Sequence, residues 1–225
     1  MAKKIGKKTR QAKRIPEPAS YFIGSEGTKT EVLYFKWIAD RLKEQYSGFQ
    51  GRIAVPSFHI QGVGSSNLRL LDDIEEYLKN DPILYENVWA VFDKDDVPLA
   101  YFDNAITVAA NKGWYTAWSN DSFELWYLLH FEYLQSGITR EQYKQKLTAH
   151  CQRRGIAKYE KNDPRVIEAL YPLSSIAIKN AYRLEKNYDY WIPSSKRLPC
   201  TTVHRLVQEL MDLETNVEQL RQQNN

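Results

Sequence analysis

The chain has 225 residues, of which 43% are hydrophobic, and carries a net charge of only +3. That length suits one ordinary domain, or a domain with a helical appendage, and the apolar content is enough for a real core. No run approaches a membrane span, and Cys151 and Cys200 are too few for a disulfide framework or a zinc site, which points to a reducing, cytoplasmic setting.

The positive charge is uneven. Lys3, Lys4, Lys7, Lys8, Arg10, Lys13 and Arg14 all precede the first acid, Glu17. Residues 1–18 therefore read as a basic, disordered arm. Such an arm suits contact with nucleic-acid phosphates and equally suits a solvated tail. It lacks the apolar segment of a signal peptide.

Beyond Pro16 and Pro18, Ala19 to Ile23 forms the first strand candidate. A glycine-bounded turn with Glu26 leads into a helix from about Lys29 to Gln45, whose start has the capping pattern of Thr28 followed by Glu31. A second strand is expected at Ser57 to Ile60 and a second helix at Asn67 to Lys79, stopped by Asp81-Pro82. Val88 to Phe92 is a buried strand of a parallel sheet by its apolar, β-branched run. It ends abruptly in Asp93-Lys94-Asp95-Asp96. A helix from Asp103 to Asn111, a strand from Trp114 to Trp118 and a helix from Phe123 to Tyr133, capped by Ser119 to Ser122, complete a β-α alternation.

The strand signal then disappears. Arg140 to Arg153, Pro164 to Tyr171, Ser174 to Lys186 and Thr202 to Leu220 read as helices, with loops at Ile156 to Asp163 and Asn187 to Pro199. The second loop holds Tyr188, Tyr190 and Trp191 among charges, either a contact surface or a packed cluster. The division is thus an arm (1–18), an α/β core (19–133) and a helical C-terminal region packed on it (134–225).

Glu26 follows the first strand, and Asp93 and Asp95 follow the third. Right-handed crossovers place those strand ends on one edge of the sheet, where open α/β sheets carry their sites. Converging carboxylates need neutralising, and a hard divalent cation such as Mg²⁺ does so. A solvated acidic turn is the plainer alternative. Gly24 to Thr30 is no phosphate loop: it is too short, lacks a glycine directly before Lys29 and carries Glu26 where amides should cradle phosphate. Asp93-Lys94-Asp95-Asp96 resembles the nucleophile motif of haloacid-dehalogenase-like phosphatases, but that motif follows a first core strand rather than a third.

Glu after the first strand and Asp-x-Asp after a later one resemble the Toprim arrangement of topoisomerases, primases and OLD-family nucleases. More closely, the chain resembles the RloB-like (AbiLii-type) family. The matching residues are Ser25-Glu26-Gly27 with Thr30-Glu31 and Tyr34-Phe35, then Val91 to Asp95, and then Ser119-Asn120 with Phe123 to Trp126 and Leu128 to Phe131. Tyr159-x-Lys161 and Thr201-Thr202-Val203 match more weakly. The resemblance implies a Toprim-like (Rossmann-like) parallel sheet flanked by helices. It also implies a metal-dependent nuclease in bacterial defence against phage, partnered by an AAA-type ATPase encoded nearby.

On that reading Asp93 and Asp95 hold Mg²⁺ or Mn²⁺, and Glu26 ligates or acts as general base. Similarity to OLD nucleases adds Glu31 and Glu124 as a second metal position. Lys161 is a candidate for neutralising transition-state charge. Each has a structural alternative: Glu31 and Glu124 suit the first turn of a helix, and Lys161 suits an ordinary loop. His130 reads as a core histidine, Asp96 as a second-shell residue or a cap, Ser119 and Asn120 as caps, and Trp114, Tyr115 and Trp118 as sheet packing. The expected partners are nucleic acid and the ATPase, with no membrane and with self-association left open. Two other function classes stay open: a non-catalytic nucleic-acid or ATPase-binding module on the same scaffold, and another metal-dependent phosphoryl hydrolase.

Overall fold

The computed structural model describes residues 17–49 and 53–223. The basic arm lies outside them except for its last two residues, which open the first strand. Strands β1 (Glu17–Ser25), β2 (Ser57–Gly62), β3 (Tyr85–Asp93), β4 (Tyr115–Asn120) and β5 (Cys200–Thr201) form one sheet in the order β2-β1-β3-β4-β5. The first four run parallel, and β5 pairs antiparallel with β4. The fold is α/β, with helices on both faces as the alternation predicts.

The period-two alternation of a strand explains the layering. Tyr21 and Ile23 of β1 and Trp89 and Val91 of β3 face one core; Phe22, Val88, Ala90 and Phe92 face the other. The first core is covered by α1 (Thr30–Tyr46) and the C-terminal helices α7 (Ser174–Lys186) and α8 (Val203–Gln223). The second is covered by α2 (Asn67–Asn80) and α3 (Leu99–Asn111). Because β1 and β3 are adjacent and parallel, their carboxyl ends lie side by side, and the Glu26 amide donates to the Val91 carbonyl at 2.9 Å.

Several boundaries differ from expectation, among them those of α3 and of the helix after β4, and one strand is added. Helix α3 begins at Leu99, directly after Pro98, which has a fixed φ suited to a helix start. Helix α4 (Glu124–Leu129) stops before Tyr133, because the chain turns there toward α5 (Arg140–Gln152). The strand signal also does not end at Tyr133: β5 returns to the sheet from the C-terminal region. Two residues are too few to show a period, and long-range bonds hold them instead. The Thr202 amide donates to the Trp118 carbonyl at 2.8 Å, and the Trp118 amide donates to Thr202 Oγ1 at 3.0 Å. A short helix, α6 (Pro164–Leu170), precedes α7. Among the described residues no helix is long and apolar enough to cross a membrane.

Gly62 ends β2 beside Ser25 and packs under the Glu26 turn. A Cβ there would stand 2.6 Å from Thr28 Cα and 2.8 Å from the Gly27 carbonyl, so backbone must move. Gly62→Ala is expected to cost about 1–3 kcal/mol, seen in calorimetry as a melting drop of about 2–4 °C per kcal/mol. Gly48→Ala, which meets nothing within 4 Å, is the matched control and should melt close to the parent.

Candidate active site

The carboxyl edge of the sheet is tied together by its own backbone. The Val63 amide donates to Ser25 O at 2.8 Å and the Gly64 amide to Glu26 O at 3.1 Å, so the loop after β2 grips the Glu26 turn. On the other side the Lys94 amide donates to Ser119 O at 2.9 Å and the Asp95 amide to Asp121 O at 3.1 Å. The acidic loop after β3 is thereby zipped to the end of β4. Asp95 has a φ of +39°, in the left-handed region that Asp tolerates better than most residues.

Each predicted side chain now has a place. Asp93 is the last residue of β3, and its Oδ2 accepts the Phe123 amide at 3.0 Å, ahead of α4. Glu31 lies in the first turn of α1 and folds back over Gly27, where any Cβ would overlap its carboxylate. The helix cap expected from Thr28 does not form: Lys29 holds the cap position and gives no side-chain bond. Glu124, the first residue of α4, is buried and pairs with Lys161 Nζ at 2.5 Å. Asp95 pairs with Arg140.

Glu26, Glu31, Asp93, Asp95 and Lys161 line one cavity of about 290 Å³. Lys161 also lines the adjoining hollow of about 380 Å³, together with Glu124, Arg140, Lys144 and Tyr159. A larger hollow of about 540 Å³ between Trp37 and Glu218 contains acids as well. Its buried Glu214 is already satisfied by Arg41, Gln45 and Tyr171, so it serves as an anchor for α8.

The crowding shows in proton affinity. Burial pushes the Glu26 carboxyl up to about 7; the Asp93 amide opposes this, and the charges of Asp95 and Glu31 add to it. Asp93 keeps a window to solvent but is surrounded by protein. Its pKa is raised well above the ordinary range by burial, then by Glu31, Glu124 and Asp95. Glu31 is raised by burial and by Glu124, with Lys161 pulling against it. Burial pulls Lys161 down, but the Glu124 pair and the charges of Glu31 and Asp93 outweigh that and raise it. A set of carboxylates this close favours protons or a cation.

The donor set fits a hard divalent cation: it is all oxygen, and the buried Glu26 Oε2 has no hydrogen-bond partner. Among the described residues, however, no three His, Cys, Asp or Glu side chains are gathered into a ready-made cage. Two of the acids already have cationic partners, Asp95 in Arg140 and Glu124 in Lys161.

The remaining candidates are structural. His130 is buried; its Nδ1 is 2.9 Å from Trp126 O, and burial holds its pKa down at about 4. Ser119 and Asn120 do not cap α4. Ser119 Oγ bonds Thr201 Oγ1 at 3.0 Å, and Asn120 Nδ2 donates to the Ser195 and Arg197 carbonyls. Asp96 is exposed on the loop rim. Trp118 is core, Trp114 is half-buried, and Tyr115 is exposed and stacks on Trp89 at 4.9 Å. Two neighbours escaped the sequence reading. Arg140 is set at the start of α5 by the Thr139–Gln142 capping box and reaches an acid 45 residues away. Tyr127, wholly buried with no partner for its hydroxyl, is raised by burial and then by Tyr159, Tyr34, Glu31 and Glu124. The local pattern marks Arg140 only as a helix start, not as a partner of Asp95, and none marks Tyr127.

A family model described as RloB-like protein matches residues 21–210. No curated protein and no solved structure matches the chain.

The raised Glu26 fixes a pH signature. The native state keeps a proton that the unfolded chain gives up at the ordinary 4.5, so this stabilisation is full below 4.5 and is lost as pH rises through about 7. Glu26→Gln removes that loss. In chelator, thermal melts should show the variant equal to the parent near pH 4 and more stable at about pH 8, by about 1 kcal/mol after solvent screening.

Proposed function

This chain belongs to the RloB-like family, and from that membership and its acidic edge we propose that it is a metal-dependent nuclease. The observation that carries the reading is the single cavity in which Glu26, Glu31, Asp93 and Asp95 meet Lys161. Those acids arrive from the ends of two adjacent strands and the first turn of a helix, and Glu124 joins from the hollow next door.

Asp93, Asp95 and Glu26 are the residues that would hold Mg²⁺ or Mn²⁺, with Glu31 and Glu124 as donors at a second position. Such an ion shields a phosphodiester, activates water and stabilises the leaving oxygen. The chain's own groups do the rest. The Phe123 amide fixes Asp93 Oδ2, so one donor is oriented in advance. Glu26 Oε2, where it is not a ligand, can take a proton from water near neutral pH. Lys161 Nζ stays charged at the cavity wall and can offset charge that develops on phosphate oxygens.

The resemblance to Toprim and OLD-type nucleases supports the same chemistry. Membership of the RloB-like family supports a role as a toxic effector in defence against phage, gated by an AAA-type ATPase. A second reading, a non-catalytic binding module, is favoured by one observation: Asp95 and Glu124 are both occupied by cationic side chains.

The experiment is cleavage of plasmid DNA, single-stranded DNA and total tRNA with Mg²⁺ or Mn²⁺, with and without the neighbouring ATPase. Asp93→Ala should reduce metal-dependent cutting by at least about 100-fold, and Lys161→Ala by about 10- to 100-fold. Cutting only with the ATPase would identify a gated effector. The nuclease reading fails if no condition gives cutting that Asp93→Ala abolishes.

A further inference from the structure

The loop between α7 and β5 exposes aromatic rings that the core does not use. Tyr190 is 89% exposed and Trp191 63% exposed, and the two rings meet edge to face at 5.0 Å. Here the backbone behind the rings is fastened. Arg197 Nε donates to Ile192 O at 2.8 Å and its Nη2 to Tyr190 O at 3.2 Å. The Arg197 carbonyl in turn accepts from Asn120 Nδ2 at 2.9 Å, at the carboxyl end of β4. The Ser195 amide and hydroxyl donate to Asp103 of α3 at 2.9 and 2.6 Å. The aromatic pair is therefore presented by a braced loop rooted on the same sheet edge as Asp93.

The chain on either side of the pair carries more cations than acids. Between Ser174 and Pro199 lie Lys179, Arg183, Lys186, Lys196 and Arg197, against Glu185 and Asp189. Glu185 is engaged by Arg205 and His204. Among the described residues none of those five cations is paired with a carboxylate, and Arg183 and Lys186 lie over the rings of Tyr133 and Tyr182. Leu198 packs against Gly137, so the loop also abuts the segment that leads into Arg140 and the cavity.

We propose that Tyr190 and Trp191, with their flanking cations, form a stacking platform for single-stranded nucleic acid that leads toward the acidic cavity. The chemistry is specific to that ligand. Unpaired bases stack on exposed rings, and the neighbouring cations track the phosphates. A duplex hides its base faces and gains only from the charges. A protein partner also uses Tyr and Trp, but a surplus of cations not paired with carboxylates suits a polyanion better. The proposal rests on the nuclease reading for its direction, toward the cavity, and on the loop alone for its binding.

The test is binding, measured separately from cleavage. Fluorescein-labelled oligo-dT and oligo-U of about 20 nucleotides, and a duplex of equal length, are titrated with the full chain in chelator by anisotropy. The salt is raised enough to weaken purely electrostatic binding by the basic arm. Trp191→Ala should weaken single-strand binding by about tenfold or more, and the double variant with Tyr190→Ala further. Trp191→Phe should keep most of it, and duplex binding should barely change. The proposal is overturned if the parent binds no single strand, or if Trp191→Ala binds it as the parent does. In either of those cases a protein partner becomes the better occupant, and the proposal is also overturned if the variant loses single strand and duplex equally, which is no stacking effect. If the parent binds single strands through Trp191 while no metal-dependent cutting is found, the nuclease reading fails and the platform stands.

Discussion

A carboxylate that ends a buried apolar run is the constraint on which this structure turns. Val88 to Phe92 are buried against two cores, and the next side chain is Asp93. Ionised carboxylates are costly away from water unless they are hydrogen-bonded or neutralised. The Phe123 amide supplies one bond, and in doing so it registers α4 against β3. That registration puts Glu124 beside Asp93, which adds repulsion instead of relief. The edge is thus a place where folding concentrates negative charge and only partly compensates it. Cations from elsewhere in the chain, or protons, supply the balance.

Those cations come from beyond the α/β alternation. Arg140 sits at the start of α5, and Lys161 lies in the loop between α5 and α6. The sequence division at residue 133 therefore separates the acids from the charges that face them. The same C-terminal region returns β5 to the sheet and fastens its loop to Asn120. It is as much a wall of the site as a cover for the core. The anchoring of α8 to α1 through Glu214 holds that wall in place.

What the sequence made legible follows from what is local. Strands β1 to β4 and their helices are written in short-range period and punctuation, and they appear where those patterns put them, with some ends shifted by a few residues. Glu26, Asp93 and Asp95 could be brought to one edge because strand ends in a parallel sheet share an edge whatever their distance in the chain. The rest depends on partners that no local pattern names. Thr28 looks like a cap, yet Glu31 turns back over Gly27 and no cap forms. Ser119 and Asn120 look like caps too, but bonds to Thr201, Ser195 and Arg197, all from the C-terminal region, claim them. Arg140 is invisible for the same reason. A two-residue strand such as β5 has no period to read at all.

The ion pairs also bear on how the edge would operate as a nuclease. A pair such as Lys161 with Glu124 is partly buried, so its partners are costly to separate without replacement. Neutralising Glu124 by another route frees Lys161 Nζ without stranding either charge. Arg140 and Asp95 form a more exposed pair, which is cheaper to open. On the nuclease reading, a cation held by the carboxylates would leave Lys161 and Arg140 free to face phosphate. In that case the charge that would bind phosphate is held against the site's own acids until then. That gives a physical reason for an effector of this kind to be quiet until both cation and substrate are present: each removes a penalty that the other would otherwise meet alone.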